Sequence, residues 1–205
     1  MAVVTVSRQY GAGGRTVALR LAEALGFQVV DRELAEEAAR RLGADPEAAL
    51  ARDERVPSLV EEVGLALAAV SPGFEAATVP QLDDRSLADA TRRVIESLAA
   101  AGGYVILGRG AQAVLGGRGD ACHVSLVGRL PDRARRVAEL QHVDGREAAA
   151  RCQEADGERA AYLRHFYGKD IRDPLLYDVV VNTSEMSLEE AAEVAVLVAR
   201  RTLGL

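Results

Sequence analysis

Residues 3–16, VVTVSRQYGAGGRT, constrain this chain more than any other stretch. A β-branched apolar run, Val3, Val4, Thr5 and Val6, ends at Ser7, three glycines follow at Gly11, Gly13 and Gly14, and an amphipathic helical pattern starts at Thr16. That order predicts a buried strand, a glycine loop and a helix start. Glycine has no Cβ and adopts positive φ, so such a loop can turn backbone N–H groups inward. The helix adds the open N–H groups and positive dipole end of its first turn. The product is an anion site, most often for phosphate. A tight strand-to-helix connection with no ligand is the other reading. Against it, Arg15 in the first turn opposes the helix dipole, and a neighbouring anion explains its placement.

The phosphate-loop pattern is G-x-x-x-x-G-K-[ST], and the stretch fits it only in part, in either of two registers. One sets Gly14, Arg15 and Thr16 on the G-K-T end, with Gln9 at the first glycine and arginine in place of lysine. The other sets Gly11, Ala12 and Gly13 on the glycine core and Thr16 on the metal-ligating hydroxyl, leaving Gly14 at the lysine position. The sequence leaves the choice open.

Length and charge narrow the class. At 205 residues the chain suits one α/β domain with helical insertions. A formal net charge of −6 argues against general binding to nucleic acid or to an anionic membrane, because both need a basic face. Lys169 is the only lysine, so nearly every cation is a guanidinium. Cys122 and Cys152 show no C-x-x-C spacing, which points to reduced core thiols rather than zinc or a disulfide framework. His123, His142 and His165 are isolated. No long apolar run occurs and the first strand begins directly after Met1, so the expected location is the cytoplasm. Assembly into homo-oligomers is left open.

Downstream, 16–25 reads as a helix closed by Gly26, and 27–30 as a short strand ending at Asp31. A carboxylate there suits a ligand-facing group or the N-cap of a helix over 33–42. From 43 to 84 prolines break short helical pieces, which suggests a helical insertion. A helix over 86–101 leads to a strand at 104–107 and then to Gly108-Arg109-Gly110, which puts a guanidinium over the same sheet edge as the glycine loop. A strand at 124–127 precedes a helix at 131–140, where Arg133 and Arg136 share a face and Arg135 takes another. One or two helices span 144–166, a last strand covers 178–181, and a terminal helix over 187–203 opens with a capping box, Ser187 and Glu190. Strands alternating with helices imply a parallel sheet covered on both faces.

SRQYGAGGRT, VVDRE, VILGRGA and the stretch from Asp156 through DPLLYDVVVNTS together resemble the cytidylate kinase-like family, in the branch whose loop reads S-R-x-[YF]-G-x-G-G-R. The resemblance implies an α/β P-loop kinase fold, a five-stranded parallel sheet with helices on both faces, in a single domain over 1–205. It implies an acceptor-binding helical insertion at 43–84 and a lid at 144–173. The implied reaction moves the γ-phosphoryl group of ATP, with Mg²⁺, to a nucleoside monophosphate such as CMP or dCMP. By motif match, Gly11, Ala12, Gly13, Gly14, Arg15 and Thr16 would hold the ATP phosphates, with Thr16 on Mg²⁺. Arg109 and Arg133 would bind the acceptor phosphate. Arg159, from the D-x-x-R pattern with Asp156, would reach the transferring group beside Arg15, and Asp31 would orient the acceptor or act as its base. Three positions depart from the pattern: the loop lysine is absent, GRG stands for G-R-D, and Arg172 precedes Asp173-Pro174 where an aromatic is common. Two other readings are a P-loop kinase with a non-nucleotide hydroxyl acceptor, as in shikimate or dephospho-CoA kinases, and a nucleotide-binding regulatory module.

Overall fold

The computed structural model describes residues 2–31 and 84–205. In chain order they form β1 (Val3–Arg8), α1 (Gly14–Leu25), β2 (Gln28–Val30), α2 (Asp84–Ala101), β3 (Tyr104–Leu107), α3 (Ala111–Val114), β4 (Ala121–Val127), α4 (Leu130–Gln141), α5 (Gly145–Tyr167), a 3₁₀ turn (Pro174–Leu176), β5 (Val179–Asn182) and α6 (Leu188–Leu203). The helix expected at 33–42 and the insertion expected at 43–84 lie outside the described residues, except Asp84, which opens α2. The chain divides into two compact units, Met1–Val29 with Ile95–Leu205, and Val30–Val94. Of the second unit, Val30, Asp31 and 84–94 are described.

The sheet runs β2-β3-β1-β4-β5. β1 pairs in parallel with β3, from Val3 opposite Tyr104 to Val6 opposite Leu107, and with β4, from Val3 opposite Ala121 to Arg8 opposite Leu126. β4 pairs in parallel with β5, from Val124 opposite Val179 to Val127 opposite Asn182. The pleat sends alternate residues to opposite faces. Val4, Val6, Val105, Leu107, Val124 and Leu126 pack in one core with Val17 and Leu21 of α1 and Ala191 and Ala195 of α6. Val3, Ile106 and Ala121 pack in a second core with Ile95 and Ala99 of α2 and with Ala111 of α3. A sheet covered on both faces needs strands that are apolar throughout, which is why β1 is buried from Val3 to Ser7. One polar pair sits inside, where Thr5 Oγ1 meets its cross-strand partner His123 at Nδ1, 2.8 Å away.

Local signals were obeyed at several element ends. Gly26 caps α1 in the left-handed conformation, donating to Ala22 and Glu23 carbonyls, and Ser187 and Glu190 form the expected reciprocal capping box on α6. Several elements differ from the sequence reading. β1 extends through Ser7 to Arg8, because both hold their ladder places opposite β4. β4 starts at Ala121, three residues earlier than its apolar run, because pairing with Val3, Val4 and Thr5 of β1 recruits Ala121, Cys122 and His123 into the ladder. The one-turn helix α3 has too few residues to show a period.

β1 lies between β3 and β4, and all three run parallel. Their carboxyl ends therefore deliver the glycine loop, the Gly108–Gly110 turn and Gly128-Arg129 to one edge. In open α/β sheets that edge is where ligands bind.

Candidate active site

The loop after β1 leaves the sheet at Gln9, whose N–H donates to Leu126 O at 2.9 Å and whose Oε1 accepts from Gly128 N–H at 2.9 Å. Gly11 and Gly13 take positive φ, +77° and +82°. Neither position has room for a side chain: a Cβ on Gly11 would lie 2.6 Å from Arg133 O, and one on Gly13 would strike Leu188. α1 starts at Gly14 with Gly13 as its N-cap and no side chain capping it. Among the described residues, the N–H groups of Gly11, Gly13, Gly14, Arg15 and Thr16 have no hydrogen-bond partner. A run of open N–H groups at a helix start with its positive dipole end is chemically an anion cradle.

The opposite side of the loop is held by α4 and α5. Arg133 Nη1 donates to Tyr10 O at 2.8 Å and to Asp156 Oδ2 at 2.8 Å, while its Nε donates to Gly128 O at 2.8 Å. Asp156 Oδ1 in turn accepts from Tyr10 N–H at 2.7 Å. Arg136 Nη1 donates to Gly11 O at 3.4 Å and to Thr183 Oγ1 at 3.2 Å, and its Nη2 donates to Thr183 O. Arg159 Nη1 donates to Arg8 O at 3.2 Å, and its guanidinium carbon stands 5.5 Å from the centre of the Tyr10 ring. Three arginines thus take up the carbonyls of residues 8, 10 and 11, which leaves the loop's open N–H groups for a ligand. Arg133 is 6 % exposed, and its ion pair with Asp156 (23 % exposed) balances the buried charge.

The second turn on this edge is strained. Gly108, Arg109 and Gly110 have φ of +83°, +59° and +69°, three left-handed residues in a row. An arginine in that region costs about 1–2 kcal/mol, tolerated where the surroundings over-determine the conformation. Tyr167 and Leu163 of α5 pack onto Gly110, where a Cβ would lie 2.7 Å from Tyr167 Cε2. The neighbouring Tyr162 phenol is pushed above its ordinary value by burial, against the Tyr167 hydroxyl and the charge of Arg109. α5 therefore touches both turns, with Asp156 and Arg159 on the glycine loop and Leu163 and Tyr167 on the Arg109 turn.

Of the residues singled out in the sequence, Gly11, Ala12, Gly13, Gly14, Thr16, Arg133, Asp156 and Arg159 meet at the glycine loop. Arg133 and Asp156 are engaged with the loop's backbone. Arg15 is exposed on the first turn of α1. Arg109 lies on the neighbouring turn, and Asp31 follows β2 in the second unit. The sequence reading passed over Arg8 and Arg136. For Arg136 the sequence shows only a face shared with Arg133. Arg8 ends β1, and its side chain crosses Gly14 and reaches Gly108. Lying inside SRQYGAGGR, it carried a signal in its position alone.

Residues 3–185 match the cytidylate kinase-like family. A cytidylate kinase of Pyrobaculum aerophilum is 28% identical over 197 residues, 95% of this chain and 91% of that protein. One of Ignicoccus hospitalis is 29% identical over 200 residues, 94% of this chain and 96% of that protein. A shikimate kinase structure from Bacteroides thetaiotaomicron superposes with a TM-score of 0.53 at 18% identity, covering 100% of this chain and 99% of that one, which is a likeness of fold. With this sheet order, this glycine loop and these matches, the chain belongs to the cytidylate kinase-like family and is an ATP-dependent phosphotransferase of the P-loop kinase fold.

Proposed function

We propose that the protein transfers the γ-phosphoryl group of ATP to the phosphate of a nucleoside monophosphate, CMP or dCMP first among them. The observation that carries this reading is the set of open N–H groups of Gly11, Gly13, Gly14, Arg15 and Thr16 beside the strained Arg109 turn, both on one sheet edge. The names of the two cytidylate kinase relatives support the choice of CMP. In the reaction an oxygen of the acceptor phosphate bonds to the γ-phosphorus as the β,γ-bridging P–O bond breaks. ADP leaves with that electron pair, and a nucleoside diphosphate forms.

Such transfers need positioning and neutralisation of the phosphoryl oxygens. The loop Gly11, Ala12, Gly13, Gly14, Arg15 and Thr16 holds the donor phosphates through its open backbone N–H groups, all but that of Ala12, which donates to Gln9 O. Arg109 takes the acceptor phosphate with its fork. Arg159 leaves the Arg8 carbonyl to meet the transferring group, and Asp31, by family resemblance, orients the acceptor or takes its proton. Arg133 and Asp156 act one step back by fixing the loop's carbonyl side. The region 43–84 selects the acceptor, and 144–173 closes over the bound nucleotides to exclude water. The residues fit Mg²⁺ in the manner usual for phosphate enzymes, with one hydroxyl, Thr16, beside the phosphates and, among the described residues, no cluster of three metal-ligating side chains. Bound there, Mg²⁺ neutralises charge on the phosphate oxygens. No described helix is long and apolar enough to cross a membrane, and ATP and nucleoside monophosphates are cytoplasmic pools, so the reading puts the protein in the cytoplasm.

The test is ATP consumption with Mg²⁺ over CMP, dCMP, UMP, AMP and GMP, with diphosphates identified directly. We expect turnover of CMP or dCMP, and a KM for the monophosphate raised about 10- to 100-fold in Arg109→Ala, as for loss of a charged hydrogen bond. No diphosphate from any of the five would refute a monophosphate acceptor and turn the search to hydroxyl acceptors.

A further inference from the structure

We infer that Arg8 supplies the cation that the glycine loop lacks, reaching the β- and γ-phosphate oxygens of the bound nucleotide from the end of β1. The inference rests on the phosphotransfer reading above and adds a residue to it.

A phosphate loop of the usual pattern carries a lysine that reaches the β- and γ-phosphates. This chain has a single lysine, Lys169, beyond the end of α5. The helix start decides which position the missing lysine would occupy. Gly13 is the left-handed N-cap of α1 and Gly14 its first, buried residue, while Arg15 is exposed. With Gly13 as the second glycine of G-x-x-x-x-G-K-[ST], Gly14 stands at the lysine position, Arg8 at the first glycine and Arg15 at the hydroxyl position, so that Thr16, the nearest hydroxyl, follows one place later.

The geometry shows that these two positions share one space. A Cβ built on Gly14 would lie 2.7 Å from Arg8 Cγ, 3.1 Å from its Cβ and 3.3 Å from its Cδ. The Arg8 stem fills the volume into which a lysine stem at 14 would start, so the usual glycine and lysine are exchanged for arginine and glycine. Further along, the Arg8 guanidinium rests against Gly108, where any Cβ would collide with Nη1. Two glycines, one on the loop and one on the turn beside Arg109, thus make room for a single side chain. Its root is fixed as well, because Arg8 sits in the ladder opposite Leu126. A guanidinium held there between the open N–H groups of the loop and Arg109 is placed to bridge donor phosphate oxygens with its fork.

Affinities of AMP, ADP and ATP for the full chain, measured by calorimetry in wild type, Arg8→Ala and Arg8→Lys, test this. If Arg8 meets the outer phosphates, Arg8→Ala weakens ADP and ATP about 10- to 100-fold and leaves AMP within about 2-fold, and Arg8→Lys recovers part of the loss. The exchange variant, Arg8→Gly with Gly14→Lys, regains at least 10-fold in ATP affinity over Arg8→Gly. Folding is read separately by thermal melting: Gly14→Ala lowers the midpoint in wild type and costs less when Arg8→Gly has cleared the space. Unchanged ATP affinity in Arg8→Ala would overturn the inference. So would an equal loss for all three nucleotides, or a larger ATP loss in Arg15→Ala than in Arg8→Ala. A wild-type protein that binds ATP but phosphorylates no monophosphate defeats the acceptor reading alone, since the phosphate discrimination still reports on Arg8. One that binds none of the three defeats both.

Discussion

Arg133 and Arg135 stand two residues apart on α4, the first 6 % exposed and bonded to Tyr10 O, Gly128 O and Asp156, the second 66 % exposed and bonded to Asp132 one turn back. Arg136 joins Arg133 on the inner row through Gly11 and Thr183, while Arg129 and Asp132 pair with each other on the outer side. Burial separates the two rows. A guanidinium taken out of water survives only with its donors satisfied and its charge balanced, so the inner row is committed to the loop's carbonyls. Solvent competes for every bond on the outer row, whose pairs are worth a few tenths of a kcal/mol to about one. The same residue type is therefore part of the site's frame on one face and decoration on the other.

The contrast can be broken most forcefully at Arg133. Arg133→Met leaves the carbonyls of Tyr10 and Gly128 without their donor and Asp156 with only the longer, 3.9 Å ion pair to Arg159. A loss of about 3 kcal/mol in urea unfolding is expected, with weaker ATP binding as the loop relaxes. A loss under about 1 kcal/mol would erase the distinction between the rows. Arg136→Met removes neutral partners and no buried ion pair, so the same titration should show about 1–2 kcal/mol.

Acid separates the rows in another way. The Arg129 bond, then the Ser184 hydroxyl, hold the Asp132 carboxyl below its ordinary value. The unfolded chain therefore binds the proton more readily, and the stability this group gives is present above about pH 4 and lost as pH falls through the lower, folded-state value. Urea midpoints at about pH 5 and pH 3 should differ less in Arg129→Ala than in wild type, and salt near 1 M should shrink the same difference. An unaltered slope would show that the outer pair is not what acid breaks. Smallest of all, Arg135→Ala should move the unfolding free energy by no more than about 0.5 kcal/mol.

Much of the frame was legible in residue order. Glycine at 11, 13 and 14 after a β-branched run gave the loop, GRG after VIL gave the second turn on the same edge, and Ser187 with Glu190 gave the helix cap. The i, i+3 spacing put Arg133 with Arg136, and Asp156 with Arg159, on common faces. Which face turned inward was not legible, because that depends on α4 and α5 packing on each other through Val137, Ala148 and Cys152 with Tyr10 of the loop alongside. The roles of Arg133 and Asp156 illustrate the gap. Motif matching reads them as groups for the substrate, yet each is bonded to the backbone of Tyr10, more than a hundred residues away in sequence.

What the sequence determined by itself is set between near neighbours: glycine's freedom at positive φ, the pleat's alternation in β1, β3 and β4, and the caps of α1 and α6. What only the tertiary structure decided is which distant groups share a space. The Arg8 stem over Gly14 and its guanidinium on Gly108 are of this kind, as is the Arg133 fork between Tyr10, Gly128 and Asp156. A buried donor or an occupied volume is felt only across a packed contact, and no local pattern records who stands on the other side.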